Sequence, residues 1–229
     1  MNSLSPQKTT VFLLAIVSLV FFSSCLTSKK MDRFVAEQYN NQLPKEDKKK
    51  KADFTVTSAI ASPASALSTT KQKTSKVLPL VVYWQYDYRH TCSLNPTIAV
   101  TQFSNAVNTL ATKGLSQKLN GQHLDLTVEE APRAFALVDK AHMIWLIYAI
   151  SWDKIYMEPD FKDLVVSYKV TGAGNAVKAG KITVKNPSQN KGIRFFQSWK
   201  SATSEYLADY NATMTAMTKS FVNQLIEEM

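Results

Sequence analysis

Residues 143–150 read MIWLIYAI, an apolar run without a charge. A short continuous run of this kind suits a strand buried on both faces. It is expected to be the central strand of a sheet, extended through 151–157 until Glu158-Pro159-Asp160 ends it. Before it, residues 123–132 read HLDLTVEEAP, where Leu124, Leu126 and Val128 alternate with Asp125, Thr127 and Glu129. Alternation with period two predicts a strand with one buried face and one wet face. After it, LVVSYKV (164–170) and VKAGKITV (177–184) flank Thr171-Gly172-Ala173-Gly174-Asn175. Gly and Asn tolerate positive φ, so this stretch predicts a β-hairpin.

Further out, residues 77–90 read VLPLVVYWQYDYRH and are rich in strand formers. Pro79 places the start of that strand at an edge. Asn95-Pro96 suits a helix cap and first residue. The β-branched residues in 97–100 move the expected start a few positions on. Phe103, Val107, Leu110 and Gly114 then share one face, and Asn120-Gly121 supplies the stop. Residues 195–228 predict a long amphipathic helix. Its stripe is Trp199, Tyr206, Tyr210, Met214, Met217, Phe221 and Leu225, read as core. The order β-α-β-β-β-β-α predicts an α+β fold: a two-layer sandwich of a mainly antiparallel, roughly five-stranded sheet with two helices. Helices on one side leave the other face of MIWLIYAI in need of cover from a loop, the tether, a partner or a lipid.

The chain opens with a different signal. Residues 11–25 read VFLLAIVSLVFFSSC, preceded by Lys8 as the sole charge. The apolar part is too short for a membrane span, which needs roughly 20 residues, and fits the 7–15 or so of a signal peptide. Phe22-Ser23-Ser24-Cys25 resembles the lipobox of bacterial lipoproteins, with Phe22 where Leu or Val is commoner. The resemblance implies cleavage after Ser24, a diacylglycerol on the Cys25 thiol and an acylated amine. The membrane would then be the partner reached through Cys25. Leu26 in place of Asp implies, by the same resemblance, the outer membrane. The lack of an acidic run after it implies a periplasmic orientation. The competing reading is an ordinary secretory or uncleaved signal with an incidental Cys25.

These signals divide the chain into a signal peptide (1–24), a Lys/Ser/Thr-rich flexible tether (25–76) and a globular α+β domain (77–229). Phe54-Thr55-Val56-Thr57, within 53–60, is an added edge strand in this reading. Most of the net charge of +9 comes from the tether, with Lys48, Lys49, Lys50 and Lys51 in succession. A nucleic-acid-binding domain would instead carry its basic residues on a folded face, so no nucleic-acid partner is expected. The lysine run reads as solvated; against anionic headgroups it would contribute about 1 kcal/mol per charge. With Cys25 acylated, Cys92 has no disulfide partner and is expected to be a buried thiol.

Chemistry-bearing motifs are scarce. His90, His123 and His142 stand apart, and His90-Thr91-Cys92 offers two metal ligands without a third. Glu129 and Glu130 are neighbours on a strand and point to opposite faces. Glu158, Asp160 and Asp163 lack the spacing of a calcium loop. There is no GxSxG, GxxxxGK[ST] or GxGxxG. No cofactor, metal or catalytic residue is assigned. The expected function is a lipid-anchored cell-envelope protein with a non-catalytic binding or assembly role, on a partner complex or a hydrophobic ligand. In topology the chain resembles the auxiliary lipoproteins of envelope transport and lipopolysaccharide assembly, a likeness that carries no residues across. The alternative is a lipid-anchored or secreted hydrolase with Asp87, Arg89 and His90 at the end of the first strand.

Overall fold

In the computed structural model, residues 26–47, 49, 51–62, 66–79, 82–110, 113–145, 149–172 and 175–229 are described. Cys25 and the apolar run before it lie outside these residues. The elements run α1 (Ser28–Gln38), β1 (Phe54–Ser58), β2 (Ser68–Val77), β3 (Tyr83–Leu94), α2 (Pro96–Leu110), α3 (Lys113–Leu119) and β4 (His123–Glu130). They continue with β5 (Ala134–Trp145), β6 (Ala149–Pro159), β7 (Leu164–Gly172), β8 (Asn175–Val184), β9 (Lys191–Gly192) and α4 (Trp199–Glu228). The strands form two sheets, β1-β4-β7-β8 and β2-β3-β5-β6-β9. Every pairing is antiparallel except that of β1 with β4. The α+β class stands. The single five-stranded sheet with two helices is replaced by two sheets and, among the described residues, four helices.

Both sheets feed one core. Leu124, Leu126, Val128 and Val166 enter it from the first sheet, and Cys92, Leu94, Phe135 and Met157 from the second. The expected stripe of α4 lines it: Tyr206, Tyr210, Met214, Met217, Phe221 and Leu225 are buried, and Trp199 packs at the margin. Phe221 meets Phe103 of α2 edge to face, with ring centres 5.3 Å apart. Ser198 caps α4, its side chain accepting from the Ser201 N–H. The hairpin β7–β8 and the strand β4 lie where alternation places them, and Asn120 (φ 44°) and Gly121 (φ 78°) end α3 in the left-handed region.

Four expectations need correction. MIWLIYAI is not one central strand. Ile144 pairs with Ile150 and Trp145 with Ala149, so the run is shared between β5 and β6, with residues 146–148 outside those described. Residues 77–90 likewise divide, Val77 closing β2 and Tyr83 opening β3. The tether reading of 25–76 fails over about half of its length. Met31 and Val35 of α1 are fully buried, Phe54 of β1 nearly so, and β2 pairs along β3. The low aromatic content of this stretch concealed a few well-spaced apolar anchors. Finally, α2 starts at Pro96, because Asn95 Oδ1 accepts from the Thr97 N–H and offsets the β-branched residues after it.

Candidate docking surface

The two sheets differ in reach. Strands β2, β3, β5 and β6 have 10, 12, 12 and 11 residues. At about 3.4 Å per residue, a 12-residue strand is about 40 Å long and outruns the core that one end of it covers. The covered end holds His90, Cys92, Leu94, Phe135, Leu137 and Met157, all buried. The opposite end projects.

Register fixes what the projecting end carries. Trp145 lies opposite Ala149, and the next row is Tyr83, Ile144 and Ile150. Trp84, Met143 and Ser151 follow, then Gln85, His142 and Trp152. None of these residues is Asp, Glu, Lys or Arg. The next row is Val77, Tyr86, Ala141 and Asp153. Behind it, Lys76, Asp87, Lys140 and Lys154 place a charge on every strand.

Side chains alternate across a sheet, so the uncharged rows are apolar on both faces. Trp84 and Trp145 share the face of Cys92, and Ile150 and Trp152 share the opposite face. They are 46%, 60%, 58% and 45% exposed, respectively. Val77, Leu78 and Val82, beside the β2–β3 connection, are exposed as well. On the outer face Tyr83 and His142 share a hydrogen bond of 2.7 Å, and His142 stacks on Trp152 at 5.3 Å and 9°. These contacts order the aromatic groups without covering them.

Charges sort by face behind this band. The outer face carries Lys71, Lys73, Lys76, Arg89, Lys140 and Lys154, with Asp87 and Glu158 among them. The other face carries Asp139 and Asp153. Burial, followed by the nearby Asp153 and Asp87 carboxylates, raises the pKa of Asp139.

The other polar residues singled out in the sequence do not converge. Asp87 and Arg89 point to the outer face, and His90 points into the core. Burial lowers the His90 pKa, and its Nδ1 has no hydrogen-bond partner. Arg89 is committed to Glu158 through two hydrogen bonds of 2.9 and 2.5 Å. That pair lines a shallow pocket of about 360 Å³ together with Thr91, Phe135, Asp160, Phe161 and Lys162. Its wall holds charged groups but, among the described residues, no Ser, Cys or His.

Glu129 is held by Ser167 and Lys181, and Glu130 by Lys162 at 3.2 Å. Asp160 accepts from the Arg133 backbone, and Asp163 from Lys185 and the Asn186 backbone. Cys92 is fully buried and unpaired, its thiol pushed up to about 11 by burial. Among the described residues no cluster of three His, Cys, Asp or Glu side chains could hold a metal ion, and no helix is long and apolar enough to cross a membrane.

The sequence pointed to one uncovered face of MIWLIYAI but not to a strand end bare on both faces, because strand-forming aromatics look alike whether covered or bare. The usable signal was the chemistry around the connections. Turns ordinarily gather polar residues, Gly and Asn, whereas VLPLVV (77–82) and IWLIYAI (144–150) are apolar throughout. No family model, curated protein or solved structure matches the chain.

Proposed function

We propose that the chain is a lipid-anchored protein of the bacterial cell envelope with a non-catalytic binding or assembly role, and that the projecting end of the second sheet is its binding surface. The observation that supports this is the gathering of Trp84, Trp145, Ile150 and Trp152, all exposed, at one end of a sheet whose other end is packed. A contiguous exposed apolar patch marks an interaction site more often than a scatter of single residues does. The anchor rests on the sequence of 11–25, and the outer membrane with a periplasmic orientation remains part of the proposal. The hydrolase alternative draws no support from Asp87, Arg89 and His90: Asp87 and Arg89 share the outer face, and His90 points into the core.

Two measurements test this. Intact mass of the membrane-extracted protein, beside Cys25→Ala, tests the anchor: a chain beginning at Cys25 with acyl mass is expected. A photo-crosslinker placed at Trp145 in intact cells tests the surface, with Lys219, exposed on α4, as the control site. Adducts from Trp145 alone are expected. Equal yields from both sites would remove the surface assignment.

A further inference from the structure

We infer that the uncharged end of the second sheet inserts into the near leaflet of a lipid bilayer, with the lysines of the charged row on anionic headgroups. This deepens the reading of that end as a binding surface, and rests on it.

The first argument is that the band is apolar on both faces. A protein partner or a second copy would cover one face or one edge. Trp152 and Ile150 would stay bare if Trp84 and Trp145 were covered, and the reverse. An occupant that closes around the tip leaves neither face in water, and lipid does so.

The second argument is the order of chemistry from the tip inward. Trp145, Ile144 and Ile150 come first, then the aromatic layer of Trp84 and Trp152, then a row carrying Asp153 on the face opposite the lysines, then Lys76, Lys140 and Lys154 with Asp87 among them. A leaflet presents hydrocarbon, interface and headgroups in that sequence. Trp is favoured at the interface, and lysines are attracted to anionic headgroups. Lys71 and Lys73 continue the basic outer face behind the row.

The third argument is depth. Four uncharged rows measure about 14 Å along the strands, against about 30 Å for the hydrocarbon core. The band therefore suits one leaflet and cannot span. Among the described residues β9 pairs with β6 only at Tyr156 and Met157, so the β6 edge near Ile150 is open. Unpaired edge groups are costly in hydrocarbon, so the β6 backbone stays at the wet interface and only the side chains of the tip rows reach the acyl chains.

The test is tryptophan quenching of the full chain in phosphatidylglycerol vesicles whose acyl chains carry bromine near the headgroup end. Three of the four tryptophans lie on the projecting end, with Trp199, packed at the core margin, as the exception. Loss of more than half of the emission is expected, and less loss in pure phosphatidylcholine. Trp145→Asp together with Ile150→Asp should restore the emission while far-UV circular dichroism and Tm stay unchanged, since both residues are exposed.

Emission that stays unquenched in a chain carrying acyl mass at Cys25 overturns insertion and leaves the anchor intact. Quenching without acyl mass supports insertion and defeats the anchor. A concentration-dependent dimer broken by the same two substitutions, without quenching, assigns the end to a second copy and overturns the inference.

Discussion

The two ends of strands β3, β5 and β6 are built from similar residues and end in opposite surroundings. Near the helices, Leu94, Phe135, Leu137 and Met157 are buried. Beyond them, Trp84, Trp145, Ile150 and Trp152 stand in water. The pairing is continuous from one end to the other, so backbone hydrogen bonding does not distinguish them. What differs is cover: Phe135 packs on Tyr206 of α4 at 4.7 Å between ring centres, whereas Trp84 remains 46% exposed. Strand propensity thus sets where a sheet forms, and the layer above it decides whether the apolar side chains stabilise the fold or remain available to a partner.

Substitutions should separate the two ends sharply. Phe135→Ala removes a fully packed aromatic and is expected to cost about 3–5 kcal/mol, whereas Ile150→Ala should stay within about 0.5 kcal/mol. Urea denaturation of the pair measures both, and equal losses would abolish the distinction.

Thiol labelling offers the next contrast. Cys92 should resist a maleimide in the native state, because it is buried and burial raises its pKa to about 11. A cysteine introduced as Ile150→Cys should react as fast as a free thiol. Comparable rates at the two sites would mean that the core end opens as readily as the tip.

The pH dependence should come from the covered end. Burial lowers the pKa of His90 in the folded protein below its unfolded value of about 6.5. On acidification below that value the unfolded chain takes up a proton first, so stability falls as pH drops toward the folded pKa. His90→Gln should flatten this slope in a series of thermal melts; an unaltered slope would rule His90 out as its source.

The smallest effect is expected at the junction. Arg89 and Glu158 are bidentate but partly exposed, with side chains 38% and 21% accessible. Solvent screening limits such a pair to about 1 kcal/mol or less. A double-mutant cycle with Arg89→Ala and Glu158→Ala measures it. A coupling several times larger would make the pair a structural lock between the two ends.

Much of the fold was legible where one periodicity met one environment. Leu124, Leu126 and Val128 alternate because β4 has one covered face, and the α4 stripe follows the helical period because a single core receives it. Legibility failed where patterns merged. Phe135, Ala136, Leu137 and Val138 are all buried, so β5 shows no alternation there. Its far end joined β6 in sequence as one apolar run. Residues 28–58 looked like tether because Met31, Val35 and Phe54 are few; their burial depends on distant strands that local composition does not report. For the candidate surface, the aromatic residues were visible and their exposure was not. Exposure is a property of the layer that stops short of them.

Hydrogen exchange with and without phosphatidylglycerol vesicles tests the central contrast most directly. Amides in 82–86 and 142–152 are expected to gain protection on adding vesicles, while those in 90–94, 134–138 and 157–158 are expected to be protected from the start and not to change. Protection unchanged at the tip, or gained chiefly along α2 and α4, would contradict the assignment of the projecting end to the membrane.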